Sequence, residues 1–597
     1  MNNLKREEVE DAYKWDVDKI YQGDGFKNDI AEVIKSTEYL MKYKGVVLKN
    51  ANNLLESLEL DLKISKMISK LYVYTVMLSN EDMTNNKNLS LVGEIDQLIT
   101  TTNEKTAFFQ TELLSGEYNL VLKYLSENTK LKKYSFYFED LFRSKKHILP
   151  LAEEELIARL NEILDAPSDI FDLLNNSDIT FSKFKDETGN IVTLNHSNYS
   201  KYIESYDRRV RKTVFKKLYK SYTSLKNTIT KCLVDNIKVD YFISKTRKYD
   251  SPLQMSLYNN NIDPKLYDKL IKTVNNRIDL SYKYISLRKD ILKLDKIHMY
   301  DLYVPLVKDI NKKYSFDEAK DIVIKALSPL GDKYINDLKQ AFSNSWIDIY
   351  YNLGKKSGAY SWGSYDTKPY LLLNYEGTLN SVSTLAHELG HSMHSYYSNH
   401  TQEYQYSGYS IFLAEIASTV NEILLNKYLY SKSTSKEEKL MYLNDLLESF
   451  RATLFRQTMF AEFEKLLYEK EQKEILTEES IAKLYLKLNK KYYGKNIVHD
   501  KEIKYEWMRI PHFYTSFYVY QYATGIAVAT RIASDILGKK EGALENYLKF
   551  LKSGSSNYPL EILKKCGIDI LNDDTIDKAL DVFEETLNEF IKIYNDK

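Results

Sequence analysis

The chain has few of the residues that cross-link a fold or interrupt a helix. Its 597 residues include two cysteines, nine prolines and 19 glycines. Cys232 and Cys566 are far apart and have no metal-ligand or redox spacing, which argues against a disulfide and favours unpaired thiols in a reducing compartment. Because helix breakers are scarce while Lys, Glu and Leu are abundant, we expect long helices and a mainly α fold.

Net charge and long apolar runs are absent as well. Lys and Arg total 84 and Asp and Glu total 84, which offers no basis for a nucleic-acid or anionic-membrane partner. No run of about 18 apolar residues occurs, as a membrane-spanning helix would require. The first ten residues include acidic ones where a signal peptide needs an apolar core. We therefore expect a cytoplasmic protein with no nucleic-acid or membrane partner.

The order of patterns along the chain predicts two domains. Residues 1–150 contain amphipathic helical segments, and a break is expected at Pro167. Residues 179–194 read as two short strands around a turn at Gly189, which predicts a β-hairpin. Helical patterning resumes near residue 198. We place an N-terminal helical domain at 1–200 and a second domain at 201–597.

The pentapeptide His387-Glu-Leu-Gly-His391 in a helical stretch indicates a metal site. Two histidines four residues apart lie about 40° apart around a helix axis, so both imidazoles can reach one ion. Glu388 can face the open side and take a proton from water. Chance supplies this motif in a chain of this length on the order of a few per cent of the time. A third ligand is therefore needed to support the interpretation.

Three positions could supply that ligand. His394 would lie roughly 10 Å along the axis from the first histidine, too far to share one zinc ion, and the position that metzincins fill with histidine is Tyr397. Glu415 lies in an apolar helical stretch, 411–425, where a carboxylate is costly unless paired or metal-bound. We predict Glu415, which completes a His2Glu site for one Zn²⁺ per chain. Glu422, two turns on, would either orient a histidine ligand or form a surface salt bridge.

Two short β-like segments, 357–363 and 369–375, directly precede the metal-binding helix. Both are rich in aromatic and apolar residues and are bounded by Gly and Pro. An exposed strand here could bind an extended peptide by strand addition, through residues such as Gly358, Ala359 and Tyr360. A purely structural hairpin that supports the helix is the alternative.

A stretch rich in hydrogen-bond donors, 507–525, lies far downstream. It contains His512, Tyr514, Tyr518, Tyr520 and Tyr522. On composition alone it would be a tyrosine-rich core helix. Together with a metal motif, such side chains become candidates for donors to a developing oxyanion.

These segments together strongly resemble the oligoendopeptidase F family of thimet-oligopeptidase-like zinc metallopeptidases. The similar blocks are 357–363, 371–375, 384–397, 412–422 and 510–525, with further likeness at 15–21, 554–559 and 566–569. The resemblance covers nearly the whole chain. It implies a two-lobed helical shell around a deep substrate channel, with a small β-sheet next to the zinc helix. It also implies that the domain 201–597 is catalytic and cleaves internal bonds of short, unfolded peptides.

The resemblance also assigns roles to individual residues. It implies zinc binding by His387, His391 and Glu415 and general-base catalysis by Glu388. It pairs His512 with a following tyrosine to stabilise the substrate carbonyl, and we favour Tyr520, then Tyr518 and Tyr514. A non-catalytic peptide-binding protein on the same fold, or a zinc exopeptidase, would be the alternatives. The intact Glu388 argues against the first, and we identify no group that would hold a free peptide terminus for the second.

Overall fold

The computed structural model of the protein describes residues 4–307 and 312–596, and these are mainly helical. The helices of the N-terminal half are α1 (Gly25–Leu40), α2 (Ala51–Glu81), α3 (Asn86–Thr106), α4 (Phe108–Ser115), α5 (Tyr118–Glu127), α6 (Ser135–Arg143), α7 (Leu151–Leu173), α8 (His196–Ile203), α9 (Arg208–Ser224), α10 (Lys226–Thr246), α11 (Pro252–Tyr258), α12 (Pro264–Asn276) and α13 (Asp279–Ile291). The remaining helices are α14 (Phe316–Ala326), α15 (Gly331–Ser343), α16 (Leu379–Asn399), α17 (Tyr404–Ser407), α18 (Ile411–Lys432), α19 (Lys436–Phe450), α20 (Arg456–Glu471), α21 (Glu478–Tyr493), α22 (Tyr520–Leu537), α23 (Ala543–Leu551), α24 (Pro559–Lys565) and α25 (Thr575–Asn595).

The strands are short and form small sheets. They are β1 (Lys183–Lys185), β2 (Ile191–Thr193), β3 (Ile297–His298), β4 (Ile347–Asp348), β5 (Tyr360–Trp362), β6 (Tyr370–Leu372) and β7 (Ile497–Val498). The predicted mainly α class with a small sheet beside the metal-motif helix is confirmed. None of the helices in the described residues is both long and apolar enough to cross a membrane.

Of two features predicted in the first 200 residues, one forms and the other does not. The expected hairpin forms, because β1 and β2 pair antiparallel and Gly189 adopts a φ of 90° in the turn between them. The break expected at Pro167 was wrong, since α7 runs through this proline to Leu173. Pro167 lacks a backbone donor, and α7 packs against α10.

Contacts between backbone segments divide the described residues into two compact units, each made of three chain segments. The first unit comprises residues 4–146, 312–425 and 532–567, and the second comprises 147–307, 426–531 and 568–596. The predicted boundary at residue 200 concerns contiguous domains of the sequence and stays a prediction.

The core of the first unit includes a cluster on its long N-terminal helices. Leu58 and Leu71 of α2, Ile95 of α3 and Phe138 of α6 have no exposed surface. One of the amphipathic helical segments predicted in residues 1–150, which forms α2, therefore buries its apolar face in the core.

A three-stranded sheet in this unit supports α16. The strand order is β4-β6-β5, with β4 parallel and β5 antiparallel to β6. On one face, Tyr360 and Trp362 pack with a cluster that includes Trp15. Since alternate residues of a strand point to opposite faces, Ser361 points the other way, and its Oγ lies 2.7 Å from Oγ of Ser392 on α16. The sheet thereby fixes the position of β5 against the helix that carries the metal motif.

The second unit contains a helical layer beneath the 507–525 stretch. In this layer α20 packs against α12 and α21, and the hydroxyl of Tyr267 on α12 donates to the carbonyl oxygen of Ala461 on α20 at 2.8 Å. A π-helical turn, Arg451–Phe455, joins α19 to α20. His512 follows in a short 3-10 turn, Pro511–Tyr514.

Candidate metal centre

Two histidines on one helix and a glutamate on another form a compact cluster in the first unit. The Nε2 atoms of His387 and His391, both on α16, are 3.2 Å apart. The Oε2 atom of Glu415, on α18, lies 3.5 Å from the first and 3.6 Å from the second of these nitrogens. Ligands about 2.0–2.1 Å from a tetrahedral zinc ion are separated by about 3.4 Å. The donor set and its spacing therefore fit a zinc ion.

Gly390 lets the two helices approach closely enough for this cluster. A Cβ atom at this position would lie 2.6 Å from Cα of Ser418 and 2.7 Å from the carbonyl oxygen of Ala417. Any side chain would therefore push α18 away from α16. Near the same contact, Nδ2 of Asn421 donates to the carbonyl oxygen of Ala386 at 2.9 Å. The close backbone packing brings Glu415 to the histidines.

Two further side chains contact the cluster residues. The Nδ1–H of His387 donates to Glu422 at 3.2 Å, and the hydroxyl of Ser418 donates to Oε2 of Glu415 at 3.0 Å. Burial lowers the pKa of His387, but the hydrogen bond and charge of Glu422 outweigh it and raise the pKa to about 9. A cation bound at Nε2 would displace the proton from that nitrogen. Of the two alternatives for Glu422, the structure shows the contact with His387.

Glu388 follows His387 on α16 and is 8% exposed. Burial raises its pKa to about 7, although the positive charge of His387 and a hydrogen bond from the backbone N–H of Ser361 in β5 oppose the shift. A cation held by the neighbouring cluster would lower this pKa. The carboxyl group thus lies beside the cluster, where it can exchange a proton with a molecule bound there.

The position of His394 agrees with its rejection as a metal ligand. This residue is buried, and its ring stacks on Tyr409 with 3.7 Å between the ring centroids. Burial, followed by the charge of His391, lowers the pKa of His394 to about 3, so the ring is neutral. Its surroundings are aromatic, unlike those of a polar histidine on a helix surface.

Strand β5 forms one edge of the three-stranded sheet in the described residues. The predicted substrate-binding residues Gly358, Ala359 and Tyr360 lie at its start, and Gly358 has a φ of 85° that favours glycine. The Tyr360 hydroxyl accepts a hydrogen bond of 2.7 Å from Asn80. This contact occupies the tyrosine side chain within the unit, so recognition of a peptide at β5 would rely on the backbone.

In the second unit, two tyrosines flank His512. The Tyr522 hydroxyl and Nε2 of His512 are 3.3 Å apart. The ring of Tyr518 stacks on the imidazole with 6.0 Å between centroids. Burial and the charge of Arg456 lower the pKa of His512. The imidazole is therefore neutral near pH 7 and can donate one hydrogen bond.

The other two predicted tyrosines have different surroundings. Tyr520 is 2% exposed, with its ring 5.4 Å from that of Tyr267. Tyr514 stacks on Phe171 with 4.2 Å between centroids. Sequence reasoning did not anticipate these aromatic contacts. Which tyrosine acts with His512 stays a prediction; of the four, Tyr518 and Tyr522 lie next to its imidazole.

Two buried carboxyl groups hold the segment that leads into α22. Asp240 on α10 accepts hydrogen bonds from the hydroxyls of Ser516, at 2.5 Å, and Tyr468. Glu464 on α20 accepts one from the backbone N–H of Phe517 at 2.9 Å. Phe517 has a φ of 57°, a conformation that is costly for a residue with a side chain. Burial raises the pKa of Asp240, and it raises that of Glu464 to about 8.

Sequence reasoning missed several residues that shape these sites. Tyr522 was in the donor-rich stretch but was not selected, and Ser361, Asp240 and Glu464 gave no signal. Gly390 did give a signal, because a glycine inside a strongly predicted helix costs stability unless close packing requires it. The others depend on contacts between residues far apart in the chain.

Comparison with known proteins supplies the family. Residues 201–582 match peptidase family M3, and residues 112–181 match the family described as oligopeptidase F. Oligopeptidase PepF of Bacillus subtilis is 43% identical over 98% of this chain and 88% of its own. An oligoendopeptidase F homolog of Lactococcus lactis subsp. lactis is 41% identical over 98% of both chains.

Solved structures agree with the sequence matches. The oligoendopeptidase-F of Enterococcus faecium superposes with a TM-score of 0.75 at 35% identity, covering 96% of this chain and 99% of that chain. The chain belongs to peptidase family M3 and is a peptidase.

Proposed function

We propose that this peptidase is a zinc-dependent endopeptidase that hydrolyses internal bonds of short, unfolded peptides. The observation that carries the proposal is the triangle formed by His387, His391 and Glu415, with Glu388 beside it on the same helix. The names of the relatives, oligopeptidase and oligoendopeptidase, support the restriction to short peptides and internal bonds.

Glu388 acts as the general base in this proposal. His387, His391 and Glu415 would hold one zinc ion per chain, which would supply Lewis acidity to acidify water and polarise a peptide carbonyl. Glu388 takes the proton of the attacking water and then delivers it to the leaving amine. Its burial and the hydrogen bond from β5 hold the carboxyl group in one orientation. Glu422 orients His387 through its second ring nitrogen.

His512 and a tyrosine stabilise the oxyanion that forms on the peptide. The neutral imidazole and a phenol can both donate hydrogen bonds to a developing negative charge. Tyr518 and Tyr522 are the preferred partners because both contact His512.

The peptide binds along β5 as an added strand. Backbone groups of an edge strand can pair with any extended sequence, which suits an enzyme that degrades diverse peptides. Gly358, Ala359 and Tyr360 would contribute their backbone to this pairing.

The proposed location of the protein is the cytoplasm. This proposal rests on the two unpaired cysteines.

Replacing Glu388 by Gln tests the assignment. The variant should keep one zinc per chain and lose turnover of a quenched fluorescent peptide by a factor on the order of a hundred or more. Zinc is measured by elemental analysis and turnover by fluorescence. Near-normal turnover in Glu388→Gln would contradict the role of general base.

Product mapping separates the proposed activity from its rivals. A peptide blocked at both ends should still be cut at internal bonds, whereas an exopeptidase would leave it intact. A wild-type protein that binds zinc and peptide but cleaves neither free nor blocked peptides would instead be a non-catalytic binder.

A further inference from the structure

The peptide group between Ser516 and Phe517 is bound by side chains from two different helices. The Ser256 hydroxyl, on α11, donates to the carbonyl oxygen of Ser516 at 2.8 Å. Oε1 of Glu464, on α20, accepts from the backbone N–H of Phe517 at 2.9 Å. Because side chains rather than a regular backbone ladder bind both polar groups of this peptide unit, they fix its orientation.

The side chain of Ser516 adds a third contact to the same turn. Its Oγ lies 2.5 Å from Oδ2 of Asp240, on α10, and 2.5 Å from the hydroxyl of Tyr468, on α20. Three helices of the second unit therefore converge on one short segment. We call the three residues Asp240, Ser256 and Glu464 the clasp.

Phe517 has the left-handed conformation that this orientation requires. Six non-glycine residues of the described range have a positive φ, and five of them are exposed. Phe517 is the exception, because it is 2% exposed and its ring lies 4.6 Å from that of Tyr468 between centroids. A left-handed residue with a bulky side chain is costly. Rotation of the preceding peptide group would relieve this cost, but it would break the bonds to Ser256 and Glu464.

The two carboxyl groups of the clasp have no cationic partner. Among the described residues, neither Asp240 nor Glu464 forms an ion pair, and Glu464 is 1% exposed. Burial raises the pKa of both groups, that of Glu464 to about 8. Neutral side chains of similar shape would cost less stability. Such costly arrangements of ionisable groups cluster at functional sites.

The clasp holds the chain between the groups proposed to stabilise the oxyanion. His512 precedes Ser516 by four residues, and Tyr518 directly follows Phe517. The ring of Tyr518 stacks on the imidazole of His512, and the Tyr522 hydroxyl lies 3.3 Å from its Nε2. The orientation of the held peptide group sets the direction in which the chain continues, and hence whether these tyrosines lie next to His512.

We infer that Asp240, Ser256 and Glu464 are positioning residues for the donors that stabilise the oxyanion. The clasp holds the turn at Phe517, and the turn holds the tyrosines against His512. The inference rests on the proposed peptide hydrolysis and adds to it residues that act through the turn rather than on the substrate. Donors fixed in advance stabilise developing charge without having to reorganise during the reaction.

The test compares two variants that each remove one hydrogen bond from a serine hydroxyl to a backbone carbonyl oxygen. Ser256→Ala removes the bond to Ser516. Ser281→Ala is the control, since the buried Ser281 hydroxyl donates to the carbonyl oxygen of Tyr492 at 2.9 Å elsewhere in the same unit. A second pair tests the other end of the peptide group, because Glu464→Met removes the acceptor and Glu464→Gln keeps one.

The kcat and KM for a quenched fluorescent peptide are measured for each variant. We expect kcat to fall on the order of tenfold in Ser256→Ala and Glu464→Met with little change in KM, because the donors act mainly in the transition state. Ser281→Ala should keep the wild-type kcat, and Glu464→Gln should recover most of the kcat lost in Glu464→Met. An unchanged kcat in Ser256→Ala, or an equal fall in Ser281→Ala, would show that the clasp contributes only to stability.

A second readout does not depend on turnover. The chain has nine histidines, so isotopic labelling at Cε1 gives a small set of NMR signals, and His512→Gln assigns the one from His512. Adjacent aromatic rings shift an imidazole resonance, so Ser256→Ala should move the His512 signal and Ser281→Ala should not. If the wild type cleaves nothing yet this signal moves, the proposed hydrolysis fails and the positioning stands. If cleavage occurs and neither kcat nor the signal responds to Ser256→Ala, only the positioning fails.

Discussion

At the scale of single residues, Glu415 has the most specific position in the candidate metal centre. It lies on a different helix from the two histidines, and its carboxylate is oriented by Ser418. A surface carboxylate would have no reason to lie within 3.6 Å of both imidazoles. Its contribution to metal binding can therefore be separated from that of the histidine motif.

Replacing Glu415 by Ala should release the metal. Without Glu415, the two histidines are the only protein ligands left of three, so the zinc content should fall well below one per chain. Elemental analysis after dialysis measures this. Glu403→Ala is the control, because Glu403 is an exposed carboxylate between the same two helices. Full zinc content in Glu415→Ala would assign the third ligand elsewhere.

At the scale of secondary structure elements, the contact between α16 and α18 depends on a single glycine. The 2.6 Å approach at Gly390 leaves no room for a methyl group. Local sequence signals could predict both helices, but not the distance between them.

Changing Gly390 to Ala should weaken metal binding without touching a ligand. The added methyl group would separate α18 from α16 and pull Glu415 away from the histidines, so zinc affinity should fall about 10- to 100-fold. Competition with a chromogenic chelator measures the affinity. In the control Gly408→Ala, the new Cβ atom would meet nothing within 4 Å. Equal affinities in the two variants would contradict the role of the close contact.

The segment before α22 should respond to pH through Glu464. The pKa of this buried carboxyl group is raised to about 8 in the folded protein, against an ordinary value near 4.5. Its neutral form is thus favoured by folding, and its contribution to stability is fully present below about pH 4.5 and is lost as the pH rises toward about 8.

Glu464→Gln should remove this dependence. The variant keeps an acceptor for the Phe517 N–H but cannot ionise, so its Tm relative to the wild type should rise between pH 5 and pH 9, which we choose to bracket the two values. Differential scanning calorimetry measures the shift, and Glu469→Gln, an exposed position on the same helix, is the control. A Tm difference that is constant with pH would show that Glu464 does not titrate in this range.

At the scale of the whole molecule, the metal should stabilise one unit locally. The cluster links α16 to α18 within the first unit. Removing the ion with a chelator should speed amide hydrogen exchange in residues 379–399 and 411–425, because the link between these helices is lost. Mass spectrometry of peptic fragments resolves these segments. Residues 456–471 and 478–493 of the second unit serve as an internal reference, and an equal change there would contradict a local effect.

Features that depend on nearby residues could be predicted from the sequence. The mainly α class, the hairpin around Gly189 and the strands before the metal-motif helix follow from short-range periodicity and turn residues. Pro167 shows the limit of such signals, since α7 continues through it and packs against α10. The surroundings of Tyr520 show another, because its ring lies against Tyr267, which precedes it by more than 250 positions.

The histidines of the pentapeptide could be predicted as metal ligands from the chain alone, because a spacing of four residues places two side chains on one face of any α-helix. The cost of a carboxylate in an apolar helical stretch predicted Glu415 as the third ligand; the structure places it beside the histidines, although 37% of its side chain is exposed. Only the tertiary structure shows that Gly390 admits α18 and that the backbone N–H of Ser361 reaches Glu388. These are distances between segments remote in sequence, and the packing of the whole chain determines them.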